Sequence, residues 1–234
     1  MTMLEITDLN VYHGSSRTLK DFSLTLNAGE VLCLLGRNGA GKTTALKSIM
    51  GLLPAQSGSI RLEGRELTSL RPYEVPKQGI GYVPQGRRLF AELTVQENLD
   101  IGLMTRKTGR DVLEKALKLF PRLRERLGQV SGTLSGGEQQ MLATARALCI
   151  DPSVILLDEP TEGLMPSMIA TIRDVVLQLR DQGKAILLVE QRVDAVLSVA
   201  DRVCFVENGK AHPALPVAAL RDDPSLLERY VGVS

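Results

Sequence analysis

The stretch Leu34-Leu35-Gly36-Arg37-Asn38-Gly39-Ala40-Gly41-Lys42-Thr43-Thr44 constrains this chain more than any other. It fits G-x-x-x-x-G-K-[ST], with an apolar run from Val31 to Leu35 leading in and a helix-compatible run from Ala45 to Met50 leading out. Closely spaced glycines between a strand and a helix let successive backbone N–H groups face inward, and the helix N-terminus behind them favours negative charge. Phosphate is the natural guest of such a concavity. Gly36, Arg37, Asn38, Gly39, Ala40, Gly41, Lys42, Thr43 and Thr44 are therefore the candidate nucleotide-binding loop. Lys42 is expected to reach the β- and γ-phosphates, and the Thr43 hydroxyl to take one position on a phosphate-bound Mg²⁺.

A chain of 234 residues with 44% apolar content fills a real core as one domain, or one domain with a smaller lobe. Its 28 basic and 27 acidic residues leave a formal charge of +1, which gives no general attraction to nucleic acid or anionic lipid. No apolar run approaches the roughly 20 residues that span a bilayer, and Met1-Thr2-Met3-Leu4-Glu5 lacks the segments of a secretory signal; a cytoplasmic chain is expected. Cys33, Cys149 and Cys204 are far apart, show no metal or disulfide spacing, and read as buried small hydrophobes. His13 and His212 are the only histidines, too few for a His-rich metal site.

The opening reads as antiparallel. Residues 3–12 alternate in part, Leu19 to Leu26 alternates again, and Asn27-Ala28-Gly29-Glu30 resembles a hairpin turn into Val31 to Leu35. Gly58 to Leu62 with Glu63-Gly64-Arg65-Glu66 reads as a second hairpin. Gly79 to Val83 is a short strand stopped by Pro84, and residues 86–150 carry helical periodicity. Val154 to Asp158 and Ala185 to Val189 are apolar on both faces, as buried parallel strands are. Pro166 to Arg180 and Val193 to Ala200 read as helices, Arg202 to Glu207 as a last strand, and Leu220 to Tyr230 as a short amphipathic helix in a capping tail. The predicted fold is α/β: a P-loop nucleoside triphosphatase core with a mostly parallel sheet, a small antiparallel β layer and an inserted helical lobe. The core covers about residues 1–85 and 151–234, and the lobe about 86–150.

Four further groups fall at informative places. Asp158 ends a buried strand at the edge where such sheets bind ligands, and is expected to hold the Mg²⁺ shell through a water. Glu159 stands one residue further into the cleft and is expected to orient and polarise an attacking water. Adjacent carboxylates beside a triphosphate repel it without a cation, which argues for Mg²⁺. Gln85, at the entry to the lobe, offers an amide to the metal shell and the water; a surface glutamine after a proline would look the same locally. Ser135 is a good N-cap for a helix from Gln139 to Leu148. Gly136 and Gly137 are costly there unless their N–H groups receive a phosphate.

Together these residues resemble the ATP-binding subunits of ABC transporters over nearly the whole chain. Gly36 to Thr43 is similar to the Walker A motif, Gln85 to the Q-loop, and Leu134-Ser135-Gly136-Gly137-Glu138 to the signature motif. Val154 to Glu159 is similar to the Walker B motif with its catalytic glutamate. The resemblance implies Mg-dependent ATP hydrolysis in a sandwich of two such subunits, each nucleotide held by one Walker A and the other's signature residues, with Tyr12 stacked on adenine. Two positions depart from the family: Met165 stands where an aspartate is common, and Gln191 where a histidine is common. Gln191 can hydrogen-bond the γ-phosphate but cannot act as general acid or base at neutral pH, which places the water-activating role more fully on Glu159.

Val189-Glu190-Gln191, with Leu134 to Ala143, is similar to the shorter of the two ATP-binding subunits of branched-chain amino acid transporters. Thr161-Glu162-Gly163-Leu164 resembles related urea and short-chain amide transporters, the alternative solute class. Implied partners are a second ATP-binding subunit, either a non-identical homologue or, in isolation, a second copy. Two transmembrane permease subunits and, indirectly, a solute-binding protein outside the membrane complete the assembly. The implied location is peripheral, on the cytoplasmic side of the inner (plasma) membrane. A soluble relative acting on DNA or ribosomes is the remaining rival, and the nearly balanced charge argues against nucleic acid.

Overall fold

The computed structural model describes residues 1–223 and 225–230. The chain opens with β1 (Thr2–His13) and β2 (Ser16–Asn27), then β3 (Val31–Leu35), α1 (Lys42–Ile49), β4 (Ala55–Leu62), β5 (Arg65–Glu66) and β6 (Ile80–Val83). Helices α2 (Val95–Arg106), α3 (Arg110–Leu119), α4 (Pro121–Arg124) and α5 (Gly136–Leu148) follow. The chain then alternates through β7 (Val154–Asp158), α6 (Pro166–Asp181), β8 (Ala185–Val189), α7 (Val193–Val199) and β9 (Arg202–Glu207). It closes with β10 (Lys210–Ala211), β11 (Leu215–Pro216), α8 (Ala218–Asp222) and α9 (Ser225–Tyr230).

Two sheets result. The smaller is antiparallel in the order β2-β1-β4-β5. The larger runs β10-β9-β3-β8-β7-β6; its five strands from β9 to β6 are parallel, while β10 and β11 pair antiparallel with β9. All five residues of each of β3, β7 and β8 are buried, so alternate side chains feed two cores. Val31, Cys33, Leu35, Ile155 and Leu157 pack toward α2, α5 and α6. Leu32, Leu34, Val154 and Leu156 pack toward β1, β2 and α1. The three cysteines are buried and free.

Three details differ from the sequence reading. The Asn27 to Glu30 turn does not close a hairpin: β3 pairs with β8 and β9 in the larger sheet, so the turn carries the chain from one layer to the other. Buried Glu30 holds it there, accepting the Asn27 N–H at 2.8 Å and pairing with Arg202 at 2.9 Å. Helix α5 begins at Gly136, so both glycines lie in its first turn. The tail forms two short helices, α8 and α9, in place of one; Pro224 and residues 231–234 of the expected capping segment lie outside the described residues.

Between β6 and β7 the chain is helical and carries its own locks. Thr94 caps α2 with a reciprocal bond to Glu97. Fully buried Asn98 donates to the Phe90 and Thr94 carbonyls at 3.1 and 3.0 Å and to the Ser131 hydroxyl at 3.2 Å. Gln85 lies at the start of this excursion, two residues after β6, and thus on the connection between the sheet and the helices.

Candidate functional site

The loop between β3 and α1 is shaped by close approaches that a side chain would block. Gly41, the residue before α1, has φ 114°, and a Cβ there would stand 2.9 Å from the Leu19 side chain. At Gly36 a Cβ would run into the Val206 carbonyl of β9. Lys42 is buried and spans the loop, its Nζ donating to the Gly36 and Arg37 carbonyls at 2.6 and 3.1 Å. Burial pulls its pKa below the ordinary lysine value, while Glu159 and Asp158 oppose that shift.

Asp158, at the end of β7, is 1% exposed. The Thr43 hydroxyl donates to its Oδ1 at 3.0 Å, and the Tyr82 hydroxyl lies 3.5 Å from its Oδ2. Burial raises the Asp158 carboxyl above the usual aspartate value and neighbouring Glu159 adds to the rise, with Thr43 pulling the other way. A pair of hard oxygen donors, one of them a carboxylate disfavoured as a bare anion, fits Mg²⁺, which takes one or two protein oxygens and completes its shell with phosphate and water.

Glu159 has left-handed backbone, φ 50°, and its N–H donates to the Val189 carbonyl at 2.9 Å. Two amides converge on its carboxylate. Gln85 Nε2 donates to Oε2 at 3.1 Å, and Gln191 Nε2 donates to Oε1. The Gln85 amide also donates to Glu162 at 3.0 Å. Gln191 therefore bears on the carboxylate of Glu159, whereas the sequence reading had aimed it at the γ-phosphate. A cavity of about 470 Å³ is lined by residues 38–44 together with Gln85, Glu159, Glu162 and Gln191. Asp158 lines an adjoining groove of about 540 Å³ with Thr43, Gln85, Arg88 and Arg146, between the sheet and the helices.

The remaining expected residues lie elsewhere. Tyr12 sits near the end of β1, opposite Arg17 and 40% exposed, and does not line the loop cavity. Neither do Ser135, Gly136, Gly137 and Glu138. Ser135 and Glu138 form a reciprocal cap on α5, and Glu138 pairs with Arg126 at 3.1 Å. The bond from the Ser135 hydroxyl holds the Glu138 carboxyl below its usual value. The glycines also have a packing reason: a Cβ on Gly137 would stand 2.6 Å from Met168 of α6, and one on Gly136 would stand 3.2 Å from the Arg87 guanidinium. Met165, just before α6, is exposed.

Glu162 and Tyr82 went unnoticed in the sequence. Glu162 reaches the cavity because its N–H closes a turn onto the Glu159 carbonyl at 3.2 Å, and only the short Glu-Pro-Thr-Glu spacing hinted at it. Tyr82 looked like an ordinary strand residue; nothing local marks its hydroxyl.

Comparison with known proteins agrees with this architecture. The family model described as ABC transporter matches residues 19–162. The chain is 44% identical over 232 residues to the high-affinity branched-chain amino acid transport ATP-binding protein BraG of Pseudomonas aeruginosa, covering 98% of this chain and 100% of the relative. It is 42% identical over 211 residues to the probable branched-chain amino acid transport ATP-binding protein LivF of Archaeoglobus fulgidus, covering 89% of each. Among solved structures, a nucleotide-free ATP-binding cassette from an ABC transporter superposes with TM-score 0.86 at 29% identity over the full length of both chains. The ADP conformation of MJ1267, an ATP-binding cassette of an ABC transporter, gives 0.85 at 30% identity, again over both full lengths. A phosphate-shaped loop, a strand-end carboxylate pair and full-length likeness to these cassettes lead to one conclusion: the chain belongs to the ABC transporter family of ATP-binding cassettes.

Proposed function

We propose that this chain is the peripheral ATPase subunit of an ABC importer for branched-chain amino acids, working with Mg²⁺. The observation that carries the chemistry is the convergence of Gln85 and Gln191 on the Glu159 carboxylate at the mouth of the phosphate loop. The solute class rests on the likeness to the branched-chain transport relatives.

In this reading the N–H groups of residues 36–43 and Lys42 bind the phosphates, with Lys42 exchanging the loop carbonyls for phosphate oxygens. Thr43 and Asp158 would hold Mg²⁺, which would supply neutralisation of the charge that develops on the phosphates. Glu159 receives a hydrogen bond from the attacking water and takes its proton as the water oxygen joins the γ-phosphorus and the bond to the bridging oxygen breaks. Gln85 and Gln191 aim that carboxylate, so the two loops that carry them set the position of the water. Tyr12 stacks on the base. Ser135, Gly136, Gly137 and Glu138 serve the nucleotide of a second ATP-binding subunit, a homologue or another copy of this chain. In the same reading the groove lined by Leu52, Arg88, Ile101 and Arg146 receives a cytoplasmic segment of a permease subunit, with the chain peripheral on the cytoplasmic face of the membrane.

Affinity isolation of the tagged chain from detergent-solubilised membranes, followed by leucine and urea uptake in a deletion strain, tests the proposal. The expected result is co-isolation with two multispanning subunits and loss of leucine uptake alone. Co-isolation with ribosomes or DNA sinks transport altogether, and loss of urea uptake alone moves the solute assignment to the related class.

A further inference from the structure

Glu190 lies between two residues that touch Glu159. Val189 before it accepts the Glu159 N–H, and the Gln191 side chain after it donates to the Glu159 carboxylate. Glu190 itself is 3% exposed and does not line the phosphate-loop cavity. Among the described residues no cation pairs with it. Its oxygens take three donors instead: Oε1 accepts the Thr161 hydroxyl at 2.6 Å and the Thr161 N–H at 3.2 Å, and Oε2 accepts the Gln191 N–H at 3.3 Å.

These donors come from two loops, one after β7 and one after β8. A buried carboxylate without a cation is a costly way to fill space, and burial indeed raises its pKa. What it provides is a single rigid acceptor for both loops. That matters because Glu159 has left-handed backbone, which a glutamate keeps only where its surroundings enforce it. The turn that follows is closed by Glu162 N–H on the Glu159 carbonyl and Leu164 N–H on the Thr161 carbonyl. Thr161 is thus the pivot of the turn, and Glu190 is its side-chain anchor.

We infer that Glu190 is a positioning residue for ATP hydrolysis: by gathering Thr161 and the Gln191 N–H on one buried carboxylate, it fixes the Glu159 carboxylate in line with the attacking water. The inference rests on the water-activating role proposed for Glu159.

The test is steady-state ATPase of membranes carrying the whole transporter, with ATP affinity and thermal midpoint of the purified chain measured alongside. In Glu190→Gln the amide oxygen still accepts from Thr161, but its NH₂ faces the Gln191 N–H donor to donor. The expected outcome is a kcat lower by roughly 10- to 100-fold, the scale of a misplaced reacting group. KM and ATP affinity should stay within about twofold, the signature of lost transition-state positioning. Thr161→Val should fall in the same direction and Thr161→Ser should keep the parent's rate, because serine restores the hydroxyl. The double variant Glu190→Gln/Thr161→Val should fall below either single variant, since one loses the Gln191 N–H contact and the other the Thr161 hydroxyl contact on the same carboxylate. Thr161→Val carries the comparison alone if Glu190→Gln fails to fold. Parent kcat in Glu190→Gln, with Glu159→Gln inactive, overturns the inference and leaves the reading of Glu159 intact. A parallel loss of kcat, ATP affinity and thermal midpoint overturns it too, reducing Glu190 to packing. Parent turnover in Glu159→Gln removes the reading of Glu159 and the inference built on it.

Discussion

Asp158 shows at the level of one residue what it costs the fold to bury a carboxylate beside the glycine-rich loop. Its carboxyl is raised by burial, so the folded state holds the proton more tightly than the unfolded chain does. Stability from this group is present below the ordinary aspartate pKa and is lost as pH rises through the raised one; at neutral pH the buried anion is a net cost. Asp158→Asn removes that cost while keeping an oxygen for the Thr43 hydroxyl. The variant's nucleotide-free thermal midpoint should rise by about 2–4 °C, the shift that roughly 1 kcal/mol produces in a chain of this size. The further rise on adding MgATP should shrink in the variant. Differential scanning calorimetry with and without MgATP decides it, and a variant no more stable than the parent contradicts the argument. Asp158 and Glu159 were legible in the sequence because an apolar strand ending in carboxylates is a local pattern. Glu162, Tyr82 and Glu190 were not, because their roles come from partners on other segments: Gln85 is 77 positions from Glu162, Asp158 is 76 from Tyr82, and Thr161 is 29 from Glu190.

Among the elements, α5 carries two demands at its first turn. Ser135 and Glu138 cap it reciprocally, while Gly136 and Gly137 admit Arg87 and Met168 against its backbone. The cap was readable, since serine three residues before glutamate is a helix start. The packing of Met168 was not, and the glycines had been explained by phosphate alone. The Asn27 to Glu30 turn shows the same boundary: its residues suit a hairpin equally well, and only the distant Arg202 partner of Glu30 distinguishes a crossing between sheets. Ser135→Ala should destabilise the chain by about 1 kcal/mol, the usual worth of a helix cap. It should also change the acid limb. Glu138 is held below its usual pKa first by the Ser135 hydroxyl, so its contribution is present above the ordinary glutamate value and disappears as pH falls through the lowered one. Urea unfolding from pH 6 down to 3 should therefore show a shallower decline in Ser135→Ala than in the parent. Parallel curves would mean that the hydroxyl does not hold the Glu138 charge.

At the scale of the whole molecule, the chain folds its two anion-friendly helix starts into separate places. The loop before α1 lines the cavity with Glu159, Gln85 and Gln191, whereas the start of α5 lines no part of it. If both serve one nucleotide, they must come from different subunits, and that requirement can be tested without knowing the solute. Lys42→Ala removes the cation that the proposed function assigns to the phosphates, and Ser135→Ala alters the other helix start; each purified alone should have little ATPase. In a mixed pair, the intact loop of the Ser135→Ala chain meets the intact α5 of the Lys42→Ala chain, and one whole site re-forms. Random pairing makes half the dimers mixed, each with one of two sites whole, so an equimolar mixture of the variants should recover roughly a quarter of the parent rate. Recovery should rise with total protein concentration, as a second-order association requires. Where the second ATP-binding subunit is a homologue, each variant is combined with that homologue as well and the surviving site counted. A mixture no more active than the average of its two components, at concentrations where the parent hydrolyses ATP, would mean that each chain completes its own site and that Ser135 acts only as a helix cap.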